Sequence, residues 1–297
     1  MLDTPSRSLL TAPEPPGLPP TARSRAWRRF VATPGALPGS LVLVCLALGV
    51  VLGPMLGPYA FDATDLQGGQ LLAPDPAHWL GTDELGRDVL TRWLHAGRVS
   101  GLVGLSVAGL ASVVGGGLGA IAGWWGRWVD SLVMRLVDVL QSIPLLMWLM
   151  VLGAIMRPTL AMLVLLVALT SWTGVARIVR AQVLAVRERE FIEAARAAGM
   201  GPWSILWRHV LPHALGPVVV ATTLGVGDAI ALESALSYLG MGIQPPTPSW
   251  GNMLSDAQHA FWTSPALALY PGIGIALGVA SLYLLGEGLR AALTPRE

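Results

Sequence analysis

The sequence contains no lysine, because all 19 of its basic residues are arginines. Without a lysine the chain cannot form a Walker A phosphate-binding loop, a Schiff base or a catalytic lysine site. Its single cysteine, Cys45, excludes an intrachain disulfide and a cysteine metal cluster. Charged residues make up only 12% of the chain and the net charge is +1, so there is no basic surplus of the kind that indicates a nucleic-acid-binding protein.

The abundant residues are apolar: 53% of the chain is hydrophobic, with 35 glycines and 12 tryptophans. Such a composition is typical of membrane proteins. A helix needs about 20 apolar residues to cross a hydrocarbon layer of roughly 30 Å. Four windows of this kind hold no charge: residues 37–56, 99–125, 160–176 and 260–286.

Two further windows carry charged residues. Residues 131–156 include Arg135 and Asp138, which lie three positions apart on one helix face and can pair near the lipid headgroups. Residues 214–241 include two acidic residues in their interior. The sequence therefore predicts an all-α, polytopic membrane protein with six transmembrane helices.

The placement of the arginines predicts the orientation, because loops rich in arginine stay in the cytoplasm. With the N-terminus inside, the cytoplasmic segments contain 15 arginines and the outer segments contain four. Both termini are therefore expected in the cytoplasm. Residues 1–36, rich in proline and arginine, are predicted to form a disordered tail, and residues 291–297 a second cytoplasmic tail.

Residues 57–98 form the predicted external loop before the second span. Near its end, residues 88–97 place Val89, Trp93 and Leu94 on one helical stripe. Such a stripe predicts an interfacial helix, lying on the membrane, at the end of the loop.

Glycines repeat every four residues in two of the spans. Gly115, Gly119 and Gly123 share one face of the second span, and Gly274 and Gly278 share one face of the last. Small residues at this spacing let helix backbones approach closely, which predicts a subunit or intrabundle interface. The alternative is a lipid-facing surface, because glycine is common throughout membrane helices.

Residues 175–212 are predicted to leave the membrane and form two short helices. The first helix ends at Gly199, the second begins at Pro202, and Pro212 closes it, which follows the preference for glycine after one helix and proline at the start of the next. The first helix has an alanine-rich face that another protein can approach. The alternative is an amphipathic helix pair held on the membrane surface.

This loop contains Glu193, Ala194 and Ala195, followed by Gly199 and later by Leu211 and Pro212. This arrangement resembles the EAA motif of permease subunits of ABC importers. Two further stretches, GTDELGRDVL at 81–90 and SYLGMGIQPPTPSWGNML at 237–254, resemble the C-type permeases of dipeptide, oligopeptide and nickel importers. The resemblance extends over residues 37–296 and departs from the EAA pattern at His209, where the family has an aliphatic residue.

The resemblance implies the type I ABC importer permease fold, with a first helix at 37–56 and a five-helix core at 99–290 that includes the coupling loop at 175–212. It implies a non-catalytic subunit in a bacterial inner membrane, in contact with membrane lipids. The implied protein partners are a homologous permease in a heterodimer, two ABC ATPases docked on the coupling loop, and an external substrate-binding protein. No cofactor is implied on this chain, because ATP and magnesium would bind the ATPases.

The two acidic residues in window 214–241 are Asp228 and Glu233. Carboxylates in membrane spans are functional by default, so we expect both to line the translocation path or a subunit seam, unless they make structural hydrogen bonds. Gly-Val-Gly-Asp at 225–228 also matches the GxGD signature of intramembrane aspartyl proteases, for which the only available second aspartate is Asp138. A secondary transporter is the other alternative, although the chain shows no repeated half. The five histidines are scattered, so no metal site is predicted.

Overall fold

The computed structural model describes residues 22–293 except for 145–146, 149–150 and 152–158. These residues are helical or irregular, apart from one isolated β-bridge between Thr82 and Asp88. The helices with described bounds are α1 (Ala22–Ala32), α2 (Ala36–Leu56), α3 (Val89–Trp125), α4 (Arg127–Ser142), α5 (Leu160–Arg187), α6 (Glu190–Ala197), α7 (Pro202–Ile205), α8 (Leu211–Tyr238), α9 (Trp250–Asp256) and α10 (Ala266–Leu293). A π-helical turn, Leu206–Val210, joins α7 to α8.

Within the described residues, five stretches of helix are long and apolar enough to cross a membrane. They are Ala36–Gly53, Val89–Trp125, Leu160–Arg187, Pro202–Tyr238 and Ala266–Leu293. These five correspond to five of the six predicted spans. The remaining one, predicted at 131–156, begins inside α4, and most of its later part lies outside the described residues.

The N-terminal segment differs from the prediction. A disordered tail over 1–36 is wrong for α1, whose 11 residues are helical, while residues 1–21 lie outside the described part. Phe30 of α1 packs against α10 at Gly288, where no side chain stands in its way. A helix this short is marginal alone and takes its stability from such packing. At the other terminus, α10 extends to Leu293, so the tail predicted at 291–297 begins as helix.

α3 begins earlier than the predicted second span. The separate surface helix predicted at the end of the external loop is wrong, because residues 89–98 are the first turns of α3. The stripe faces the interior of the protein at Trp93. The Trp93 indole N–H donates to the Tyr270 carbonyl at 2.8 Å, and the centroids of the Trp93 and Trp250 rings lie 5.8 Å apart. The apolar stripe therefore contacts protein.

The repeated glycines of α3 mark its contact with α5. Gly115 and Gly119 face Trp172 and Ala176, so closely that a Cβ on either glycine would overlap the α5 backbone. Gly123 continues the same contact one turn further on. Of the alternatives that the glycine spacing left, the structure therefore shows an interface inside the bundle.

One end of the bundle gathers α1, the start of α2, the end of α10 and the start of α8. Leu284 of α10 packs on Gly35 and Gly39 at the start of α2, and Leu293 lies against Gly216 of α8. The opposite end carries the loop 57–88 and α9. α8 therefore connects the two ends.

Candidate functional site

Residues 188–212, which we name the hairpin, connect α5 to α8. α6 ends in a Schellman motif, in which the Met200 amide donates to the Ala195 carbonyl at 3.1 Å and the Gly199 amide donates to the Arg196 carbonyl at 3.0 Å. Gly199 has φ +78°, a left-handed conformation that glycine adopts without strain. A Cβ at Gly199 would meet no atom within 4 Å, so only the backbone conformation requires glycine there.

The second half of the hairpin differs in part from the prediction. Gly201 is extended and Pro202 opens α7 as predicted, but the prediction that Pro212 closes this helix is wrong. The chain continues through the π-helical turn into α8, with the Leu211 amide donating to the Leu206 carbonyl five residues back. This wider turn accommodates a proline, which lacks an N–H and crowds a regular α-helix. Residues 202–238 therefore form one continuous rod.

The inner face of the hairpin is buried against the bundle. Ile192, Ile205, Leu206 and Val210 each expose 2% of their surface or less. Their partners near the ends of α3 and α5 are Ala120, Trp124, Val175, Val179, Val183 and Val186. Burial of each of these four side chains contributes roughly 2 kcal/mol, so the hairpin is held firmly on the bundle.

Polar and aromatic contacts also fix the hairpin to the end of α3. Arg187, the last residue of α5 before the hairpin, donates from Nη1 to the Trp124 carbonyl at 3.3 Å, one of the carbonyl groups that a helix end leaves without a partner. The Arg196 guanidinium of α6 lies 5.4 Å from the centre of the Trp124 ring. Trp203 of α7 packs against Trp125 with ring centroids 4.5 Å apart. Both short helices are thus anchored to α3.

The outer face of α6 is exposed. Glu193 and Ala194 are exposed and Ala195 is half-buried, and the alanines that follow in the sequence are exposed again. Glu190 of the same helix is also exposed, so this surface combines small alanine side chains with two carboxylates, and a second protein can approach it closely. Leu211 is half-buried and Pro212 exposed, and Pro212 borders a groove of about 940 Å³ between α5, α8 and α10. The motif residues thus lie in two places, on and just after α6 and at the start of α8.

A second cluster lies at the opposite end of α8. The fully buried carboxylate of Glu233 accepts hydrogen bonds from the hydroxyl groups of Ser237 at 2.7 Å and of Ser100, in α3, at 2.9 Å. Ser100 accepts the Trp250 amide of α9 at 3.3 Å, and the Ser249 hydroxyl donates to Ser237 at 3.5 Å. We name Glu233 and these three serines the polar knot, because they join α3, α8 and α9.

Hydrogen bonds among its own neighbouring residues fix the start of α9 beside the polar knot. Ser249 and Asn252 form a capping box, with the Ser249 amide donating to the Asn252 side chain at 2.9 Å and the Asn252 amide donating to the Ser249 hydroxyl at 3.2 Å. The Asn252 side-chain amide also donates to the carbonyl groups of Ile243 at 3.2 Å and Thr247 at 2.8 Å. The motif at 237–254 therefore folds back on itself.

The serines of the polar knot were not among the predicted site residues. Ser237 follows Glu233 by four positions, a spacing that places both on one helix face, so this pair was detectable. Ser100 lies 133 residues away in the sequence, and nothing in its own neighbourhood links it to Glu233. Of the expectations for Glu233, the structure therefore shows the structural hydrogen bonds to neighbouring side chains.

Asp228 is exposed and accepts a 2.5 Å hydrogen bond from the Tyr283 hydroxyl of α10. The Asp138 carboxylate is bound by the Arg177 guanidinium of α5 at 2.7 Å, and the predicted pairing with Arg135 is not formed. Both aspartates therefore have partners that are not aspartates, whereas an aspartyl protease needs two carboxyl groups that share a proton. Among the described residues, no group of three or more His, Cys, Asp or Glu side chains is placed to hold a metal ion.

The external loop ends in a charged cluster within the motif at 81–90. Arg87 Nε lies 2.6 Å from Asp83, and the buried Arg92 lies 3.4 Å from the same carboxylate. Both arginines also lie 3.6 Å from Asp256 of α9. This cluster ties the external loop to α9 and therefore indirectly to the polar knot.

Two family profiles match the chain. The family described as "Binding-protein-dependent transport system inner membrane component" matches residues 115–297, and "N-terminal TM domain of oligopeptide transport permease C" matches residues 21–74. The first match includes the hairpin, α8 and the polar knot residues of α8 and its following loop, and the second includes α1 and α2.

Curated relatives match nearly the whole chain. The "Dipeptide transport system permease protein DppC" of Alkalihalophilus pseudofirmus is 36% identical over 97% of this chain and 96% of its own length. The "Oligopeptide transport system permease protein OppC" of Escherichia coli is 40% identical over 92% of this chain and 90% of its own length. The "Glutathione transport system permease protein GsiD" of Pectobacterium atrosepticum is 37% identical over 91% and 90%.

A solved structure shares the fold. The structure described as "Inward facing conformations of the MetNI methionine ABC transporter" superposes with a TM-score of 0.55, over 67% of this chain and 95% of the matched chain. The two sequences are 18% identical, so this likeness concerns the fold alone.

Proposed function

Because the chain belongs to the family of inner-membrane components of binding-protein-dependent transport systems, we propose that it forms half of a translocation path for di- or oligopeptides. It is a permease subunit of an ABC importer and is itself non-catalytic, since the ATPase activity resides in partner subunits. The relatives named for dipeptides, oligopeptides and glutathione support peptides as the substrate class. A homologous permease completes the path, and two ATPases bind ATP and magnesium.

The hairpin is the proposed docking site for the ATPases. The observation that carries this proposal is that one face of the hairpin is buried and the other is exposed. Its inner face is buried in the bundle, whereas Glu193 and Ala194 on the outer face are exposed. Gly199 sets the angle between α6 and α7. Because the rod begins with α7, a rotation of α7 passes through Leu211 and Pro212 into α8. That rod has 37 residues, or roughly 55 Å at the helical rise, enough to reach from the hairpin to the polar knot.

The hairpin and both chain ends are proposed to face the cytoplasm. The excess of arginines in those segments supports this orientation. Its geometric support is that α1, the end of α10 and the hairpin lie at one end of the bundle, where Arg189, Pro212 and Leu293 line the same groove.

Asp228 is proposed to face the translocation path. Exposure of a carboxylate to lipid in mid-span costs several kcal/mol, so this side of α8 is expected to face water or another chain. The neighbouring exposed residues of the same side, Ala231 and Ala235, are small and leave room for a solute. Tyr283 holds the Asp228 carboxylate at the surface, where it can attract the α-ammonium group of a peptide.

Uptake of a radiolabelled dipeptide tests this function. Deletion of the gene should abolish the binding-protein-dependent uptake, and a plasmid copy should restore it. The Asp228→Asn variant should restore uptake that is lower by up to about fivefold, the worth of an exposed ion pair. Tyr283→Phe, the matched comparison, removes only the hydrogen bond and keeps the charge, so it should lower uptake less than Asp228→Asn. Unchanged uptake in the deletion strain would contradict the proposal, as would peptide-bond cleavage in membranes that depends on Asp228.

A further inference from the structure

α1 presents an uncompensated positive surface. Arg25, Arg28 and Arg29 are all exposed, and their spacing of three and four positions places them on one side of the helix. The sequence has no acidic residue between Glu14 and Asp62. Within the described part of the chain, none of the three guanidinium groups forms an ion pair. Their charge is therefore available to a ligand.

The other side of α1 is apolar and continues the exposed apolar surface of α2. Trp27 and Val31 remain 61% and 41% exposed, although Phe30 beside them packs against Gly288 of α10. The outward side of α2 is a stripe of exposed aliphatic side chains and one methionine: Leu37, Leu41, Val44, Leu48 and Met55. A helix with one apolar and one arginine-rich side lies in the headgroup layer of a membrane.

A groove next to α1 adds a place for a headgroup. It has a volume of about 660 Å³ between α1 and α10, and its lining includes Arg29, Thr33, Glu287 and Arg290. Glu287 pairs with Arg290 at 2.9 Å, so the groove keeps one net positive charge, from Arg29. The groove therefore favours an anion.

We propose that α1 and the adjoining end of α10 bind an anionic phospholipid of the cytoplasmic leaflet. Its phosphate lies against Arg25, Arg28 and Arg29, and its acyl chains lie along Trp27 and the outward stripe of α2. A lipid fits better than a soluble protein, because only three residues separate α1 from α2. This short connection holds α1 at the membrane surface, where the apolar and the charged side can both be satisfied by one lipid layer.

Native mass spectrometry of the purified full-length chain tests the proposal, in micelles that contain equal amounts of phosphatidylglycerol and phosphatidylcholine. The wild type should retain phosphatidylglycerol in preference to phosphatidylcholine. The triple variant R25Q/R28Q/R29Q should reduce this preference at least about tenfold, since each arginine near an anionic surface contributes roughly fivefold. The triple lysine variant at the same positions should keep most of it, because the charge is retained.

A matched control removes three other exposed arginines predicted to lie on the same membrane side, Arg135, Arg189 and Arg208. Their replacement by glutamine should leave the preference unchanged, and circular dichroism should show equal helix content in all variants. Millimolar inorganic phosphate should not displace the bound phosphatidylglycerol. The proposal is overturned if R25Q/R28Q/R29Q keeps the wild-type preference, if the control loses as much, or if free phosphate displaces the lipid.

Discussion

Gly199→Val should reach the membrane at nearly the wild-type level but transport roughly tenfold less, the effect of about 1.4 kcal/mol on one coupling equilibrium. At φ +78° a residue with a Cβ is strained by about 1 kcal/mol, and a β-branched residue by more. The valine side chain would meet open space, so the helix bundle should assemble normally. The strain is relieved by rotation of α6 against α7, which displaces Glu193 and Ala194 from the proposed ATPase contact.

Three control variants separate backbone strain from loss of space. Gly199→Asn should transport nearly normally, because asparagine tolerates the left-handed conformation, and Gly199→Ala should lie between asparagine and valine. Gly201→Val should also transport normally, since Gly201 has φ −65° and ψ 148° and equally open surroundings. Immunoblots of membranes, ATPase stimulation and uptake measure the three steps separately. If Gly199→Val transports normally, or if it is absent from the membrane, Gly199 does not couple the hairpin to the ATPases by setting the angle between α6 and α7.

Glu233→Leu should have the second large effect, a loss of thermal stability of the detergent-solubilised chain. Leucine removes the acceptor of the Ser100 and Ser237 hydroxyl groups and leaves both buried without a carboxylate partner. A buried polar group without a partner costs about 1–3 kcal/mol, so the loss of both serine partners should lower the melting temperature by roughly 3–10 °C in a chain of this size. α9 should loosen first, because Ser100 also holds the Trp250 amide.

Glu233→Gln is the matched control for the polar knot. The glutamine side chain has the same shape, and the serine hydroxyl groups can rotate to donate to its oxygen or accept from its amide. Its melting temperature should therefore stay within roughly 2 °C of the wild type. A Glu233→Leu variant as stable as the wild type would show that the knot contributes nothing, and a Gln variant as damaged as Leu would show that the charge matters.

The features that depend on local sequence could be predicted. The charge-free windows correspond to four of the long helices, because a span needs a fixed length of apolar chain. The end of α6 at Gly199 and the start of α7 at Pro202 also follow from local backbone preferences. The family resemblance, carried mainly by the hairpin and the motif at 237–254, led to the same assignment as the matched profiles.

The features that depend on distant contacts could not be predicted. α1 is stabilised by Phe30 against Gly288, on a helix more than 250 residues later in the sequence. Trp93 faces inward because it contacts the Tyr270 carbonyl and α9, which lie far away in the sequence. From the sequence alone, Pro212 indicates a helix end. The π-helical turn before it, which lets the helix continue, is visible only in the structure. The polar knot depends on Ser100, which lies 133 residues from Glu233 in the sequence.

Cross-linking from Ala197 tests most directly whether the exposed α6 surface is the docking site for the ATPases. In a Cys45→Ser background, Ala197→Cys carries a photoreactive maleimide on α6, and Ala77→Cys carries the same group on the external loop. Irradiation of membranes from cells that hold the whole importer should join Ala197→Cys to an ATPase subunit and leave Ala77→Cys without such an adduct. Labelling of Ala197→Cys from outside intact cells by a membrane-impermeant thiol reagent, or ATPase adducts from Ala77→Cys alone, would contradict both the orientation and the coupling role of the hairpin.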